Sequence, residues 1–177
     1  MKQGFAVLLT CTPASGKSRR ARALKALLEQ EGVPVQRLES DELRKILTPN
    51  PIYSPEEREW FYSVMLYMGK MLADNGVNVI FDATGNLNRY RDTARDVINR
   101  FCEVYVYCQQ EIGIDRDPKD IYKDAATGKA ANVPGLGSAY EPPKNPEVTV
   151  EGHKEEQDES AAKILAWIKT HWPDLFV

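Results

Sequence analysis

Short apolar runs recur along the chain, and each is followed by a polar loop and then by a helical pattern. Residues 5–10 are almost continuously apolar, as expected of a strand that is buried on both faces. Similar runs follow at residues 35–39, 77–81, 103–108 and 147–150. Because strands that alternate with helices favour a parallel sheet covered on both faces, the pattern predicts a three-layer α/β fold with five parallel strands.

Between these runs, apolar residues repeat at helical spacing. The stretch after residue 18 places leucines and alanine on one face, and Gly32 with Pro34 should end that helix. A short helix is predicted for residues 40–47. A longer one before Gly76 has an aromatic and methionine stripe that we interpret as core. The stripe consists of Trp60, Phe61, Val64, Met65, Met68, Met71 and Leu72.

The second half of the chain continues the alternation. A fourth helix is predicted to place Tyr90, Ala94, Val97, Ile98 and Phe101 on one side. Residues 109–126 look helical in two pieces broken at Pro118, and residues 155–171 form a final amphipathic pattern. Residues 127–146 are rich in glycine and proline without periodicity. Since this stretch is too long for an ordinary connection, we expect it to be an active-site lid.

Composition narrows the class of protein. A length of 177 residues predicts a single domain over residues 1–177, and a formal charge of −3 argues against a long nucleic-acid partner. The chain has no run of 18 or more apolar residues, so no membrane span is predicted. The N-terminus is predicted to be a strand rather than a signal peptide. Cys11, Cys102 and Cys108 are an odd number without metal-ligand spacing, which favours a reducing, cytoplasmic setting, and Cys102 and Cys108 flank one strand pattern and are predicted to be buried thiols.

Residues 11–18 read CTPASGKS, which matches the phosphate-binding pattern G-x-x-x-x-G-K-[ST] except that Cys11 replaces the first glycine. Such a loop points its backbone N–H groups at phosphate oxygens, with a helix N-terminus behind them. A lysine reaches the outer phosphates and a hydroxyl serves Mg²⁺, so the sequence predicts a P-loop fold that binds ATP with Mg²⁺. The expected ATP contacts are Pro13, Ala14, Ser15, Gly16, Lys17, Ser18 and Arg19, with Ser18 also a metal ligand.

The alternative interpretation of this segment is a strand–loop–helix corner that binds no phosphate. The context favours the functional one, because the loop follows an apolar strand and opens a helix, as the mechanism requires. Cys11 could narrow the loop or make it oxidisable.

Asp41 follows the second predicted strand and is our candidate for the general base. Phosphoryl transfer to an alcohol requires a carboxylate that accepts the hydroxyl proton. Arg44 lies three residues later, so both side chains can face one cleft if the segment is helical. Capping of the helix by Ser40 or Asp41 is the alternative.

Asp82 follows the third predicted strand and is a candidate catalytic and Mg²⁺-binding carboxylate. The carboxyl edge of a parallel strand is where such a residue meets the ligand crevice. In that case Thr84, Asn86 and Arg89 would lie close to the acceptor. The alternative role for Asp82 is to cap the next helix.

Arg116 and Lys119 precede the predicted lid. An Arg guanidinium can stack on adenine, and a cation near the moving phosphoryl group neutralises its charge. A solvated run of charges is the alternative.

From residue 102 onward the chain resembles a known family. The segments EVYV (103–106), DRDPKDIYKDA (115–125), TGK (127–129) and SAYEPPKNPE (138–147) look like the fourth strand, the R-D-P-K-x-L-Y-K-K-A signature, the lid and the closing segment of adenylylsulfate kinases. The resemblance implies that ATP phosphorylates the ribose 3′-hydroxyl of adenylyl sulfate (APS), giving PAPS. It would place the chain in sulfate assimilation.

The same resemblance assigns several side chains. Asp41 and Arg44 match the family's D-G-D-N-V-R, and Arg58 matches the end of its G-F-S-x-x-D-R. Lys119 matches the R-D-P-K signature and Lys123 its Y-K. Together with Thr84, these residues are the predicted acceptor site.

Departures from the family concentrate on that acceptor site. After Arg58 the family's Asn and two arginines are absent, and the lid phenylalanine is Val133. The first half is also similar to a broader group of P-loop kinases with P-A-S-G-K-S and V-I-x-D-A-T, which includes polynucleotide and RNA-directed kinases. The donor side is therefore better supported by the sequence than the acceptor.

Two other functions stay open on the sequence alone. One is a kinase of nucleoside or polynucleotide 5′-hydroxyls, and the other is a nucleotide-binding scaffold that has lost catalysis. The expected partner is a small-molecule substrate rather than a membrane or nucleic acid. A homodimer is compatible with the sequence.

Overall fold

The sheet has five parallel strands in the order β2-β3-β1-β4-β5, as the apolar runs predicted. The computed structural model describes residues 3–12, 15–108 and 138–176. The strands are β1 Ala6–Thr10, β2 Val35–Glu39, β3 Asn78–Asp82, β4 Phe101–Tyr107 and β5 Val148–Glu151. The helices are α1 Lys17–Gln30, α2 Ser40–Leu47, α3 Pro55–Asp74, α4 Asn88–Val97 and α5 Gln157–His171, followed by a 3₁₀ turn at Pro173–Leu175.

Helices cover the sheet on both faces because β1 is apolar on both faces. Val7 and Leu9 point into the core formed with α1 and α5, whereas Ala6 and Leu8 point into the core formed with α3 and α4. This split follows from the period of two residues in a strand. Burial of each such leucine stabilises the fold by about 1.5–3 kcal/mol.

The predicted α3 stripe is only partly core. Phe61 and Met65 are buried, but Trp60 and Met71 are 48% and 46% exposed. Neighbouring residues in a helix lie about 100° apart, so Trp60 and Phe61 cannot both face the sheet. The interpretation of the whole stripe as core is therefore wrong at Trp60 and Met71.

Boundaries after α4 also differ from the prediction. The helix ends at Val97, which is 37% exposed, and Phe101 begins β4 beside Ala6 of the central strand. Phe101 is therefore a strand residue and not part of the helical face. Its pairing with β1 outweighs the helical spacing.

Cys102 and Cys108 are buried, as predicted, and so is Cys11; none of the three forms a disulfide. Within the described residues, no helix is both long and apolar enough to cross a membrane. The predicted helical pieces at 109–126 and the first part of the predicted lid, 127–137, lie outside the described residues.

Candidate functional site

At residues 15–18, the corner between β1 and α1 shows features that a phosphate-binding loop needs. Gly16 is the N-cap of α1 with φ of +84°, a left-handed conformation that favours glycine. Lys17 and Ser18 form the first turn of α1, Ser15 is buried, and Arg19 is exposed. Pro13 and Ala14 lie outside the described residues.

Asp82 ends β3 beneath this corner and is fully buried. Its Oδ1 forms an ion pair with Lys17 Nζ and accepts a hydrogen bond of 3.0 Å from the Ser18 hydroxyl. Its Oδ2 pairs with Arg37 Nη1 at 2.6 Å. Helix α4 begins only at Asn88, with Leu87 as its N-cap, so the capping role considered for Asp82 is wrong.

Electrostatics keep this pair charged. Burial alone would raise the pKa of Asp82, but Lys17, Ser18 and Arg37 outweigh it and hold the pKa below its ordinary value. Burial would lower the pKa of Lys17, but Asp82 and, more weakly, Cys11 and Asp41 raise it. Asp41 therefore lies within electrostatic reach of Lys17.

Arg37 is a site residue that the sequence analysis missed. Its Nη2 also pairs with Glu39 at 2.7 Å, so it bridges the carboxylates of Glu39 and Asp82. Residues 37 and 39 share one face of β2, and β2 pairs in register with β3 so that Glu39 stands beside Asp82. An arginine two positions before a glutamate at the end of a strand was the available signal.

The segment that follows β5 packs against the P-loop and is linked to it by hydrogen bonds of Arg20. Arg20 is buried and donates hydrogen bonds to the Gly16 carbonyl at 3.3 Å, the Glu155 carbonyl at 2.5 Å and the Ser160 hydroxyl at 3.0 Å. A Cβ at Gly152 would stand 2.6 Å from the Ser15 carbonyl oxygen. The loop is thus held at a fixed distance from β5 and α5.

Cys11 occupies the first position of the loop as a buried thiol. Burial raises its pKa, and Lys17 and Ser15 offset part of that rise. The thiol is therefore protonated at neutral pH and packs as a small apolar side chain.

Asp41 lies in the first turn of α2 and is exposed. The N-cap of α2 is Glu39, whose side chain makes no capping hydrogen bond, so neither Ser40 nor Asp41 occupies the N-cap position considered for them. An exposed carboxylate near Lys17 is accessible to an acceptor hydroxyl, and its assignment as general base stays a prediction.

Arg44 and Arg58 are brought together around Tyr53. The Arg44 guanidinium lies 4.8 Å from the Tyr53 ring and 3.9 Å from the Phe61 ring, and it pairs with Glu57 at 2.9 Å. The Arg58 guanidinium lies 5.3 Å from the Tyr53 ring. Burial, together with the like charge of Arg44, lowers the pKa of Arg58. Two buried guanidiniums at one ring make a site suited to an anion.

Thr84 lies two residues after the end of β3, near the end of β1. Its carbonyl accepts a 2.5 Å hydrogen bond from the Thr10 hydroxyl. Asn86 is buried and donates to the Ala139 carbonyl at 2.9 Å. Arg89 is 60% exposed and pairs with Glu59 at 2.5 Å, which directs it to the surface. The other predicted site residues, Arg116, Lys119 and Lys123, lie outside the described residues.

Ser18 and Asp82 suit an Mg²⁺ ion that phosphate oxygens also coordinate. Ser18 and Asp82 place a hydroxyl and a carboxylate side by side at 3.0 Å. Mg²⁺ prefers such oxygen ligands and takes few from the protein when phosphates supply others. Within residues 3–12, 15–108 and 138–176, no group of three or more Asp, Glu, His or Cys side chains is arranged so that it could hold a metal ion.

Comparison with known proteins gives a consistent result. The family model described as adenylylsulphate kinase matches residues 3–151. A probable adenylyl-sulfate kinase of Pyrococcus abyssi is 39% identical over 92% of this chain and 94% of its own length. An adenylyl-sulfate kinase of Halothermothrix orenii is 32% identical over 95% of this chain and 91% of its own length.

Solved structures agree with the sequence relatives. The APS kinase CysC of Mycobacterium tuberculosis, in complex with AMPPNP and APS, superposes with a TM-score of 0.89 at 28% identity. The superposition covers 96% of this chain and 99% of that protein.

Proposed function

The chain belongs to the adenylylsulphate kinase family, and we propose that it transfers the terminal phosphoryl group of ATP to the 3′-hydroxyl of adenylyl sulfate. The products are PAPS and ADP. Family membership makes it a kinase that acts on a hydroxyl group. The observation that carries the proposal is the joining of Lys17, Ser18 and Asp82 at the corner of β1 and α1, within residues that match the family.

On the donor side, the backbone of the loop and Lys17 bind the triphosphate. Gly16 allows a close approach of backbone and phosphate, and the N-terminus of α1 adds partial positive charge. Ser18 and Asp82 would hold Mg²⁺, which neutralises charge on the phosphates when it is bound. Pro13, Ala14, Ser15, Arg19 and Arg116 complete the proposed ATP contacts.

On the acceptor side, Asp41 accepts the proton of the attacking hydroxyl. Arg44 and Arg58 hold the anionic part of adenylyl sulfate, and Thr84, Lys119 and Lys123 complete its contacts. Because the pKa of Lys17 includes a contribution from Asp41, the base and the phosphate-binding lysine act within one electrostatic environment. Such a site works through positioning and charge stabilisation more than through covalent chemistry.

Three features of the wider protein belong to the same proposal. Residues 1–177 act as one kinase domain, in which residues 127–146 close over the bound substrates and exclude water. The small-molecule acceptor is the partner. Three cysteines without a disulfide suit a reducing, cytoplasmic location.

Parallel assays with three acceptors test the proposal. Purified protein with ATP and Mg²⁺ is offered adenylyl sulfate, adenosine or a 5′-hydroxyl oligonucleotide, and ADP release and labelled product are measured. We expect phosphorylation of adenylyl sulfate at the 3′-hydroxyl, with at most background transfer to the other two. Transfer to the oligonucleotide alone, or ATP binding without transfer to any acceptor, would contradict it.

A further inference from the structure

Arg91 on α4 is 1% exposed and joins separate parts of the fold. Its Nε donates to Glu103 on β4 at 2.7 Å, and its Nη1 donates to the carbonyl of Gly85. Its Nη2 donates to Asn88 Oδ1 and to the Glu141 carbonyl, both at 2.5 Å. One guanidinium therefore ties the turn after β3 to the far end of the predicted lid.

The same two segments hold each other directly. The Glu141 amide donates to the Asn86 carbonyl at 2.8 Å, and Asn86 Nδ2 donates to the Ala139 carbonyl at 2.9 Å. The Asn88 amide donates in turn to the Glu141 carboxylate at 2.7 Å. We call residues 139–141 the clasp, because these bonds and those of Arg91 fasten them onto residues 85–88.

Tyr140, in the middle of the clasp, faces the catalytic edge of the sheet. Its hydroxyl lies 3.2 Å from that of Thr10, and Thr10 donates to the Thr84 carbonyl. Thr10 is the last residue of β1, directly before the P-loop. The clasp therefore places Tyr140 beside Thr84, at the edge where the proposed donor and acceptor sites meet.

An arginine suits this position better than any other side chain. Its planar fork offers several donors at fixed angles, and here they reach two backbone carbonyls and two side chains. Its charge is balanced by Glu103, which also pairs with Arg95 at 3.1 Å. Buried ion pairs of this kind often add little net stability. The Arg91–Glu103 pair is therefore better explained by its fixing one conformation of the segments that Arg91 joins.

We propose that Arg91 is a positioning residue for the acceptor. By holding the clasp on the turn after β3, it fixes the spacing between Tyr140 and Thr84 and so shapes one wall of the acceptor pocket. The identity of the acceptor rests on the proposed function above. The hydrogen bonds that Arg91 makes end at the clasp, the turn after β3, Asn88 and Glu103, and none of them reaches Lys17 or Asp82, so the effect should be larger on the acceptor than on ATP.

The first test compares Arg91→Lys with Arg100→Met. The lysine variant would keep the charge beside Glu103 without the fork, whereas Arg100 is a partly exposed arginine paired with Asp174 at 2.9 Å, away from the clasp. We expect Arg91→Lys to lower kcat/KM for adenylyl sulfate by about 10- to 100-fold, the loss for a substrate misplaced by about 1 Å. KM for ATP should change by less than about twofold, since the substitution removes no contact that binds ATP equally in the ground state and the transition state. Arg100→Met should alter neither constant.

A second readout does not depend on turnover. Hydrogen exchange of the Glu141 amide, measured on ADP-bound protein, should be faster in Arg91→Lys than in the wild type and unchanged in Arg100→Met. If Arg91→Lys does not fold, Arg91→Met/Glu103→Met removes the charge pair without leaving one buried partner and takes its place.

The outcomes separate the two proposals. A wild-type protein without activity on adenylyl sulfate would overturn the proposed function. An active wild type with unchanged kcat/KM for adenylyl sulfate in the folded Arg91 variant, or with KM for ATP raised as much as that kcat/KM falls, would overturn the role of Arg91 alone. Unchanged exchange at Glu141 would overturn the clasp.

Discussion

The proposed donor and acceptor sides hold their charges in different ways. On the proposed donor side, Lys17 and Arg37 face the carboxylates of Asp82 and Glu39, so charge is balanced before a ligand arrives. On the proposed acceptor side, Arg44 and Arg58 gather at the Tyr53 ring, and Glu57 pairs with Arg44. Phosphate must therefore displace Asp82 from a single lysine, whereas an acceptor anion meets two guanidiniums at one ring.

This difference teaches which substitutions should be severe and which graded. An incoming triphosphate competes with Asp82 for the ammonium group of Lys17, so the exchange depends on a single side chain. The acceptor anion meets two guanidiniums held by aromatic rings and by Glu57, so the loss of one leaves the other in place. We expect all-or-none effects on the donor side and stepwise effects on the acceptor side.

Replacement of Lys17 by alanine is the strongest test of the donor side. We expect kcat/KM to fall by about 10³–10⁵-fold, the range for a cation that stabilises phosphoryl transfer. Asp82 keeps Arg37 as a partner, so the fold should survive, as circular dichroism would show. Lys25→Ala, on the same helix but paired with Glu29 at 2.5 Å, should retain activity. Retained turnover in Lys17→Ala would refute the P-loop assignment.

Replacement of Asp41 by asparagine tests where the two sides meet. We expect kcat to fall by about 10²–10⁴-fold, the usual contribution of a general base. ATP affinity, measured by calorimetry, should change little because Asp41 is only one of the weaker influences on Lys17. Glu42→Gln is the matched control, since Glu42 is exposed in the same turn and pairs with Lys45. If ATP affinity collapses while kcat holds, Asp41 is structural.

Replacement of Arg58 by methionine tests the graded character of the acceptor side. We expect KM for adenylyl sulfate to rise by about 10- to 150-fold, since a charge-assisted hydrogen bond contributes about 1.5–3 kcal/mol. KM for ATP should stay within about twofold because the loss does not touch uniform ATP binding. Arg22→Met, an exposed position on α1, should leave both constants unchanged. A loss of turnover as complete as in Lys17→Ala would erase the contrast between the two sides.

The smallest expected effect lies in the framework behind the clasp. Burial raises the pKa of Glu147, but its bonds to Arg95 and to the Glu103 amide outweigh burial and lower it. A carboxyl with a lowered pKa in the folded state stabilises the fold above its unfolded pKa of about 4.3. That stabilisation is lost as pH falls through the folded pKa.

Glu147→Gln should therefore lower Tm by about 2–4 °C at pH 7, the shift for about 1 kcal/mol in a chain of this size. The partner Arg95 is partly exposed, which keeps the effect small. The difference from wild type should shrink as pH falls below about 4. Asp92→Asn, exposed on α4, is the control. A difference that grew on acidification would show that the sign is wrong.

Much of the fold could be predicted because its signals are local. The apolar run at residues 5–10 and the G-K-S that follows it place a strand, a turn and a helix within a few residues of one another. Helix α2 was likewise predicted with its observed bounds. Errors arose where spacing alone was used, as at Phe101, since helical spacing does not reveal that the chain has already joined the sheet.

The site was predictable only in part. Lys17, Ser18 and Asp82 stand out because each follows an apolar strand at the edge where parallel strands end. Arg37 and Arg91 did not, because an arginine in a strand or a helix looks like an ordinary surface residue until its partner is known. Their partners lie 45 and 50 residues away along the chain, at Asp82 and Glu141.

The sequence by itself determined the succession of strands and helices along the chain, the phosphate-loop motif and the family. Hydrophobic period and turn chemistry act over a few residues, and so they can be read along the chain. Only the tertiary structure decided which charges neutralise one another and where residues 139–141 are fastened. Those choices depend on packing distant segments within about 3 Å, where burial makes an unpaired charge costly and selects its partner.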